Sequence, residues 1–394
     1  MIALLVGGAV RDRLLGLAVT DLDYVVIGST PEQMIAAGFM PVGKDFPVFI
    51  DPVSKSEYAL ARTERKVAAG YHGFAFQTDA GVTIEQDLLR RDLTINAMAQ
   101  ATDGTLIDPY GGQQDLRNKV LRHVSDTFIQ DPVRILRLAR FAARFTDFNV
   151  ASETMQLMQR MVSQGEVDAL VAERVWQEIS RGLIEAQPSK MFAVLSTCGA
   201  LIKVAPELTL NDAVLTTIDR AAKCDLPAPA KLILVFACLT LATAQLEPLC
   251  ERLRVPSECA DMAILLQRER GTLNKADQLS AADLVHLLMR CDAFRKPDRF
   301  KQMLSVLKIT ASPEIATSPE DTHALAKQLT VLDRARLAAG SVRSGDIAAA
   351  VTMKSKGLGT AINLQIKDAV FTARVDSVNA AINLAANAVK KLQP

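Results

Sequence analysis

The chain opens with Leu4-Leu5-Val6-Gly7-Gly8-Ala9-Val10-Arg11-Asp12, followed by Thr20-Asp21-Leu22-Asp23-Tyr24-Val25-Val26. The short apolar run Ile2–Val6 predicts a buried strand, because it ends in a β-branched residue. The Gly7-Gly8 pair lacks Cβ atoms and permits a tight turn that a ligand can approach closely. We predict a helix over Ala9–Leu15, whose free N–H groups and positive dipole end would face a phosphate. Arg11, on its first turn, adds a mobile positive charge.

Two aspartates mark the second predicted strand. Asp21 and Asp23 alternate with Leu22 and Tyr24, so we expect both carboxylates on one face, about 7 Å apart along the chain. Such a pair needs a neutralising cation, and Mg²⁺ binds through one or two carboxylates plus substrate phosphates. Two Mg²⁺ ions can clamp the attacking and leaving oxygens of an in-line phosphoryl displacement. An isolated Asp-x-Asp is more often an exposed strand-edge pair, but the glycine turn and Arg11 favour the catalytic interpretation.

Composition indicates a globular protein. The 394 residues are 49% hydrophobic and 23% charged, which is enough to bury a substantial core in two or more domains. The net charge is +1, so nucleic-acid binding would need a local basic patch rather than an overall positive field.

Cysteine usage and hydropathy indicate a cytoplasmic location. The six cysteines lie between Cys198 and Cys291 without C-x-x-C spacing, and we interpret them as free thiols in a reducing cytosol. The first strand begins too early to leave room for a signal peptide. The longest apolar run, 232–244, is about a dozen residues long, too short to span a bilayer, and predicts a core helix.

Several elements follow the aspartate pair in the first hundred residues. Thr30 and Pro31 predict the cap and first turn of a helix over Pro31–Ala37. Val48–Ile50 and Glu57–Leu60 predict paired strands. Arg62–Gly73 is charged and then rich in small residues, which indicates either a mobile loop or a solvated connector.

A second motif reads Arg90-Arg91-Asp92-Leu93-Thr94-Ile95-Asn96-Ala97. Adjacent arginines crowd each other unless an anion shares them, and an aspartate can accept from a sugar hydroxyl. The cluster can therefore hold a triphosphate and a ribose together. The alternative is a helix with a charged, exposed turn.

The stretch from Gln130 to Arg144 predicts a helix with Pro132 in its first turn and Asp131 as its N-cap. Four basic side chains share or adjoin one helix face, and they are Arg134, Arg137, Arg140 and Arg144. No acids are interspersed on this face, which favours an anion-facing surface over a solvated helix face.

Asp131 and Arg134 also suggest a way of reading a base. Cytosine and adenine present an amino donor beside a ring-nitrogen acceptor, so one carboxylate and one guanidinium can pair with either. Uracil and guanine present an acceptor beside a ring N–H donor, which is the opposite order. Binding either of them would leave both side chains unpaired, at a cost of about 1–3 kcal/mol per unmade hydrogen bond. Such a pair would select CTP and ATP without a template. The alternative is that Asp131 serves only as a helix cap.

These motifs together resemble a known family. Gly7-Gly8-x-x-Arg11-Asp12-x-x-Leu15-Gly16 with Asp21-x-Asp23 is similar to the signature of class II tRNA nucleotidyltransferases and bacterial poly(A) polymerases. The motif at 90–97 resembles the family's R-R-D-x-T-x-N-A, and 130–137 resembles E-D-x-x-R-x-x-R with Gln130 in place of Glu. The resemblance extends to Pro206, about half the chain.

The resemblance implies a set of residue roles. Asp21 and Asp23 would be catalytic and hold two Mg²⁺ ions, one lowering the pKa of the RNA 3′-hydroxyl and the other stabilising the leaving pyrophosphate. The nucleotide-binding residues would be Gly8, Arg11, Arg91 and Arg137 or Arg140 for the triphosphate, Asp92 for the ribose, and Asp131 with Arg134 for the base. The loop at 62–73 would assist the change from CTP to ATP, and Asp108-Pro109-x-x-Gly112 would be a hinge.

The remaining sequence is helical in pattern and poor in chemistry. Ala172–Ile179 resembles the family's neck motif, and we interpret it as structural, with Trp176 on its buried side. Many relatives carry a metal-dependent phosphohydrolase with a His-Asp pair, but Phe236–Thr240 stands where that pair is expected, and we predict that this side activity is absent. Lysines near the C-terminus suggest either RNA backbone contacts or solvated helix ends, and they are Lys354, Lys356, Lys367, Lys390 and Lys391.

We therefore predict an α+β fold with a small mixed β-sheet in a nucleotidyltransferase head, followed by an all-helical neck, body and tail. The predicted domains are head 1–124, neck 125–206 for nucleotide selection, body 207–320 and tail 321–394 for tRNA binding. The predicted activity is template-independent addition of CCA to tRNA 3′ ends from CTP and ATP. The partners are tRNA and these nucleotides, with no membrane and no protein partner predicted.

Three alternatives stay open. A poly(A) polymerase would use ATP repeatedly, and the lack of a basic C-terminal extension argues mildly against it. A partial enzyme would add only CC or only A. A non-catalytic RNA-binding relative would be marked by a missing metal carboxylate, and both aspartates are present.

Overall fold

The computed structural model describes residues 1–42, 48–66, 74–77, 80–310, 319–354 and 359–392. The chain folds as two units, one of residues 1–207 with 251–254 and one of residues 208–250 with 255–394. The finer division into head, neck, body and tail stays a prediction.

The first unit contains a sheet and a set of short helices. Its strands are β1 (Ile2–Val6), β2 (Asp23–Ile27), β3 (Met40–Val42), β4 (Val48–Ile50), β5 (Glu57–Leu60), β6 (Thr63–Lys66), β7 (Phe74–Gln77), β8 (Ala99–Gln100), β9 (Leu106–Ile107), β10 (Val120–Leu121) and β11 (Asn149–Val150). Its helices are α1 (Gly8–Leu14), α2 (Pro31–Ala36), α3 (Ile84–Leu89), α4 (Gly112–Asn118), α5 (Val133–Arg144), α6 (Ser152–Ser163), α7 (Ala172–Leu183), α8 (Pro188–Thr197) and α9 (Leu201–Val204).

Seven of these strands form one mixed sheet in the order β3-β4-β5-β2-β1-β8-β9. Strands β2 and β5 run parallel, and the other neighbours in this sheet are antiparallel. The predicted mixed sheet is confirmed. Because β1 and β2 are antiparallel, with Leu5 opposite Tyr24, the end of β1 lies beside the start of β2.

The central strands are buried on both faces. Leu4 and Val25 belong to the core on one face, while Val26 packs with Met34 and Phe49 on the other. Alternate residues of a strand point to opposite faces, so this apolar run supplies both cores. Burying each of these side chains contributes about 1.5–3 kcal/mol, which makes the sheet a firm base for its loops.

Most predicted elements near the sheet are confirmed. Helix α2 ends one residue before the predicted end, and Thr30 caps it by accepting a hydrogen bond from the Gln33 N–H while the Gln33 side chain accepts from the Thr30 N–H. This reciprocal pair satisfies two of the amides that a helix start leaves unpaired. Strands β4 and β5 pair antiparallel as expected.

The prediction of a loop or solvated connector over Arg62–Gly73 is wrong for the first part of the segment. Thr63–Lys66 forms a strand that pairs antiparallel with Phe74–Gln77. The charged residues of this segment suggest a solvated connector, so its sequence does not predict that it pairs with another strand. Residues 67–73 lie outside the described part of the chain.

The neck helix α7 places Trp176 at the edge of its buried side, not within it as predicted. Its buried apolar residues are Val175, Ile179, Gly182 and Leu183, and Trp176 is only half-buried. The helical period of about 3.6 places residues 175, 179 and 183 on one stripe, so the large indole lies at the border of that stripe.

From residue 212 onward, the parts of the chain that the structure describes are helical. The helices are α10 (Asp212–Ala222), α11 (Ala228–Leu239), α12 (Leu246–Arg252), α13 (Ser257–Leu273), α14 (Ala281–Arg290), α15 (Pro297–Thr310), α16 (Pro319–Gly340), α17 (Ser344–Lys354) and α18 (Gly359–Leu392). The predicted core helix is confirmed as α11, where every residue from Leu234 to Leu239 is buried. None of the helices described here is both long and apolar enough to cross a membrane.

The six cysteines are free, as predicted, and all except the half-buried Cys224 are buried. Burial raises the pKa of the Cys291 thiol to about 12. Among the C-terminal lysines, Lys354 and Lys367 are exposed. Lys356 and the side chains of Lys390 and Lys391 lie outside what the structure describes.

Candidate active site

One open cavity of about 710 Å³ in the first unit brings all the predicted site residues together. They are Gly8, Arg11, Asp21, Asp23, Arg91, Asp92, Asp131, Arg134, Arg137 and Arg140. Residues more than a hundred positions apart in sequence therefore share one surface.

The glycine turn shapes one wall of the cavity. Gly7 has a φ of 66°, and its N–H donates to the Met98 carbonyl oxygen at 3.3 Å. A Cβ atom on Gly7 would lie 2.8 Å from Nη1 of Arg91. The absence of a side chain thus permits both the turn and the approach of Arg91. Helix α1 begins at Gly8, one residue before the predicted start.

The carboxylate pair differs from the prediction in its backbone. Strand β2 begins at Asp23, and Asp21 precedes the strand, so the two residues are not alternate positions of one strand. Both still line the cavity. Burial and the negative charge of Asp21 raise the pKa of Asp23, against the opposing effect of Arg91. Two crowded oxygen donors suit a hard cation such as Mg²⁺, whose other ligands would be phosphate and water oxygens.

Arg11 is fixed in place, contrary to the mobile charge expected. Its guanidinium donates to Asp12 at 2.8 Å and to the Asn96 side-chain oxygen at 2.5 Å. It also lies 5.2 Å from the ring centroid of Phe141 and 5.1 Å from that of Phe145. Only 3% of Arg11 is exposed, and burial lowers its pKa. The residue links α1 to Asn96 through a hydrogen bond and to α5 through cation–π contacts.

The adjacent arginines Arg90 and Arg91 share one anion, and that anion is a carboxylate of the protein, Asp87. Asp87 is fully buried and pairs with Arg90 at 2.6 Å and with Arg91 at 3.2 Å. Burial alone would raise the pKa of Asp87, but the two guanidinium groups outweigh it and hold that pKa below its usual value. The Nε of Arg91 is buried and has no hydrogen-bond partner among the described residues. Arg91 therefore retains a donor for a further acceptor.

Asp92 is held as a carboxylate. It accepts hydrogen bonds from the Leu93 N–H at 2.8 Å, from the Asn96 amide at 3.0 Å and from Arg137 Nε at 2.8 Å. Burial alone would raise the pKa of Asp92, but these partners outweigh it and lower the pKa. The residue thus stays ionised and can accept a further hydrogen bond.

Three of the four arginines on the basic face of α5 pair with acids from other segments, which the lack of acids on that face did not predict. The ion pairs are Arg137–Asp92 at 2.8 Å, Arg140–Glu178 at 2.6 Å and Arg144–Asp12 at 2.9 Å. Glu178, on α7, is 4% exposed and also lies 3.7 Å from Arg137. A single segment of sequence cannot show acids that arrive from elsewhere in the chain.

Asp131 lies one residue before the N-cap position of α5, which Pro132 occupies. Its Oδ1 accepts from the Val133 N–H at 3.2 Å. Arg174 of α7 donates to the same carboxylate twice, from Nη1 to Oδ1 at 3.0 Å and from Nη2 to Oδ2 at 2.7 Å. Asp131 thus lines the cavity, and its predicted position as the N-cap of α5 is wrong by one residue.

Arg134 is held by backbone oxygens. Its Nη1 donates to the Thr127 carbonyl at 2.8 Å and its Nη2 to the Arg90 carbonyl at 2.6 Å. Gln130, which replaces the family's Glu, has a buried Oε1 with no hydrogen-bond partner in the part of the chain that the structure describes.

Sequence reasoning missed several residues that line the cavity. They are Arg174, Gln177, Glu178 and Arg181 of α7. Arg174, Glu178 and Arg181 are spaced i, i+4 and i+7 on α7, which places them on one helix face. That spacing was available as a signal in the segment interpreted as purely structural.

Two family models match the chain. Residues 3–122 match a poly A polymerase head domain, and residues 147–211 match a "Probable RNA and SrmB- binding site of polymerase A". The chain is 50% identical to a multifunctional CCA protein from Burkholderia vietnamiensis, over 96% of this chain and 98% of that protein. A protein of the same name from Herminiimonas arsenicoxydans is 48% identical over the same shares.

Solved structures have the same fold. A tRNA-processing enzyme in an apo form has a TM-score of 0.63 at 26% identity, covering 87% of this chain and 93% of that one. A Thermotoga maritima CCA-adding enzyme complexed with tRNA has a TM-score of 0.65 at 20% identity, covering 97% and 91%. A CCA-adding enzyme with ATP has a TM-score of 0.66 at 19% identity, covering 98% and 90%. Because half of its residues are identical to a multifunctional CCA protein over nearly the whole of both sequences, the chain belongs to the CCA-adding tRNA nucleotidyltransferase family.

Proposed function

We propose that this chain adds C, C and A in turn to the 3′ end of tRNA, using CTP and ATP and releasing pyrophosphate, without a nucleic-acid template. The gathering of the carboxylate pair, the arginines and the Asp131–Arg134 pair in one cavity carries this proposal. The names of the relatives support the same activity.

Charge in the cavity suits a nucleoside triphosphate. The residues described as lining it include ten arginines and five carboxylates, so a net positive charge remains after internal pairing. Arg91 lines the cavity with its side chain 19% exposed and is proposed as a triphosphate ligand, with Gly8, Arg11 and Arg137 or Arg140 around it. Asp92 is proposed to accept from the ribose.

Asp131 and Arg134 are proposed to read the base. An ionised carboxylate only accepts hydrogen bonds and a guanidinium only donates them. Together they match the edges of cytosine and adenine and oppose those of uracil and guanine.

Asp21 and Asp23 are proposed to hold magnesium. Bound there, it would supply positive charge at the reacting phosphate and favour ionisation of the attacking 3′-hydroxyl. The other nearby groups orient the nucleotide, and no side-chain general base is needed.

The proposal is tested with three synthetic tRNAs, ending before CCA, after C and after CC, each incubated with radiolabelled CTP or ATP. We expect ordered addition that stops at CCA. Asp21→Ala should abolish addition while circular dichroism and tRNA binding stay unchanged, because the variant loses a metal ligand and not a core contact.

Other outcomes would reassign the protein. Long A tails would make it a poly(A) polymerase, and addition to only some of the substrates would make it a partial enzyme. RNA binding without extension by the unmodified chain would identify a non-catalytic RNA-binding protein.

Two further expectations remain proposals. We propose a cytoplasmic location, where tRNA, CTP and ATP are available. Although its relatives are called multifunctional, we still predict that this chain lacks the phosphohydrolase activity, because Phe236–Thr240 replaces the expected His-Asp pair. Hydrolysis of a chromogenic phosphate ester with added divalent cations would contradict that prediction.

A further inference from the structure

Arg174 makes the closest side-chain contact to the proposed base reader. Its two terminal nitrogens donate to both oxygens of Asp131, at 3.0 and 2.7 Å. About a quarter of each side chain is exposed, 27% for Arg174 and 22% for Asp131, and both residues line the cavity. The contact therefore lies at the surface that a nucleotide would meet.

The carboxylate of Asp131 has little capacity left to accept further hydrogen bonds. A carboxylate offers about four lone-pair sites, two on each oxygen. Among the residues that the structure describes, Oδ1 accepts from Arg174 and from the Val133 N–H, while Oδ2 accepts from Arg174 alone. One acceptor site on Oδ2 thus remains, which is enough for a single amino hydrogen of an incoming base.

Bidentate pairing also fixes how that site is presented. Two parallel N–H···O bonds from a planar guanidinium hold the carboxylate group in one orientation. An ionised carboxylate cannot donate to the carbonyl oxygens of uracil or guanine. Arg134 is similarly restrained by the Thr127 and Arg90 carbonyls, so both halves of the reader are positioned before a nucleotide binds.

From this geometry we propose that Arg174 is a specificity-determining positioning residue. It holds Asp131 as an oriented acceptor whose free Oδ2 site receives the amino group of cytosine or adenine. The inference rests on the proposed function, because it assumes that Asp131 reads the base. An ion pair that merely joined α5 to α7 would affect stability without affecting the choice of nucleotide.

The test compares kcat and KM for single-nucleotide addition, using CTP and UTP on a tRNA lacking CCA and ATP and GTP on a tRNA ending in CC. We expect Arg174→Gln to raise KM for CTP and ATP about tenfold and to leave UTP and GTP nearly unchanged, since one oriented hydrogen bond to a charged group is lost. Arg174→Lys should give an intermediate result, because a point charge still pairs with Asp131 but does not orient it through two parallel hydrogen bonds.

A matched control is available in the same unit. Arg252 pairs with Glu207 at 2.7 Å and does not line the cavity. Arg252→Gln removes an ion pair of the same length and should leave the CTP/UTP and ATP/GTP ratios unchanged. Denaturant unfolding of each variant shows whether the protein remains folded.

A double-mutant cycle tests whether Arg174 acts through Asp131. Asp131→Asn and the double variant should show the same nucleotide ratios, since no ionised reader is left to position. Additive effects, or an Arg174→Gln variant that slows all four nucleotides equally, would overturn the inference.

Equilibrium binding of the four nucleotides separates this inference from the proposed function. If the unmodified chain fails to extend tRNA yet prefers CTP and ATP, and Arg174→Gln removes that preference, then the proposed function fails and the positioning role stands. If extension is normal and the preference survives the substitution, then only the positioning role fails.

Discussion

At the scale of single residues, the site depends on where a side chain is absent as much as on where one is present. Gly7 has a positive φ and leaves space for the Arg91 guanidinium. Gly16 has a similar φ of 69°, but nothing lies within 4 Å of the position of its missing Cβ. Comparing alanine substitutions at Gly7 and Gly16 therefore separates the effect of backbone strain from that of a steric clash with Arg91.

Gly7→Ala should lower both stability and nucleotide binding. Either alanine substitution places an L side chain at positive φ, at a cost of about 1–2 kcal/mol in the free energy of unfolding. Only Gly7→Ala also displaces Arg91, so we expect its KM for CTP to rise about tenfold while that of Gly16→Ala stays near normal. Urea unfolding and steady-state kinetics measure the two effects, and an equal KM for both variants would contradict the role given to Arg91.

Asp92 should make stability depend on pH. Its folded-state pKa is lowered, so its contribution is present above the unfolded value of about 3.9 and is lost as pH falls toward the folded value. We expect the unfolding free energy of the unmodified protein to fall between about pH 5 and pH 3 by about 1 kcal/mol more than that of Asp92→Asn. Parallel curves for the two proteins in urea titrations would show that Asp92 is not held by its ion pair.

At the scale of elements, α5 and α7 meet through buried charge. Arg140 on α5 pairs with Glu178 at 2.6 Å and lies 3.7 Å from Glu185. The side chain of Glu178 is 6% exposed and that of Glu185 is 23% exposed. Removing one partner of a buried pair leaves an uncompensated charge, which is costly.

Glu178→Gln should destabilise the protein by about 3 kcal/mol, because Arg140 loses its closest charged partner inside the fold. Glu185→Gln should cost less than about 1 kcal/mol, since that contact is longer and more solvated. Chemical denaturation measures both values. A larger cost for Glu185→Gln than for Glu178→Gln would show that Glu185, and not Glu178, is the main ion-pair partner of Arg140.

At the scale of the whole molecule, the proposed nucleotide site belongs to one of two units. We expect CTP to slow amide hydrogen exchange in peptides from β2, α5 and α7, because ligand binding stabilises the segments that form its site. Peptides from α13, α14 and α15 should exchange at the same rate with and without CTP. Protection confined to those three helices would place the nucleotide in the second unit.

The N-terminal strands and helices were predictable because their signals are local. Apolar runs, glycine breaks and a Thr-Pro cap are features of a few neighbouring residues. The observed bounds of β1, β4, β5 and α2 therefore differ from the predicted ones by at most one residue. The strand at Thr63–Lys66 was missed because its stability comes from its pairing with Phe74–Gln77. The half-buried position of Trp176 likewise depends on which side of α7 its neighbours cover.

The sequence by itself determined the family, the carboxylate pair and the arginine-rich motifs, because these are matters of residue type and spacing. Only the tertiary structure decided how their charges are partnered. Arg144 pairs with Asp12 across 132 positions of chain, and Arg174 reaches Asp131 across 43. Ion pairs at such separations depend on how strands and helices pack, and no short segment of sequence contains that information.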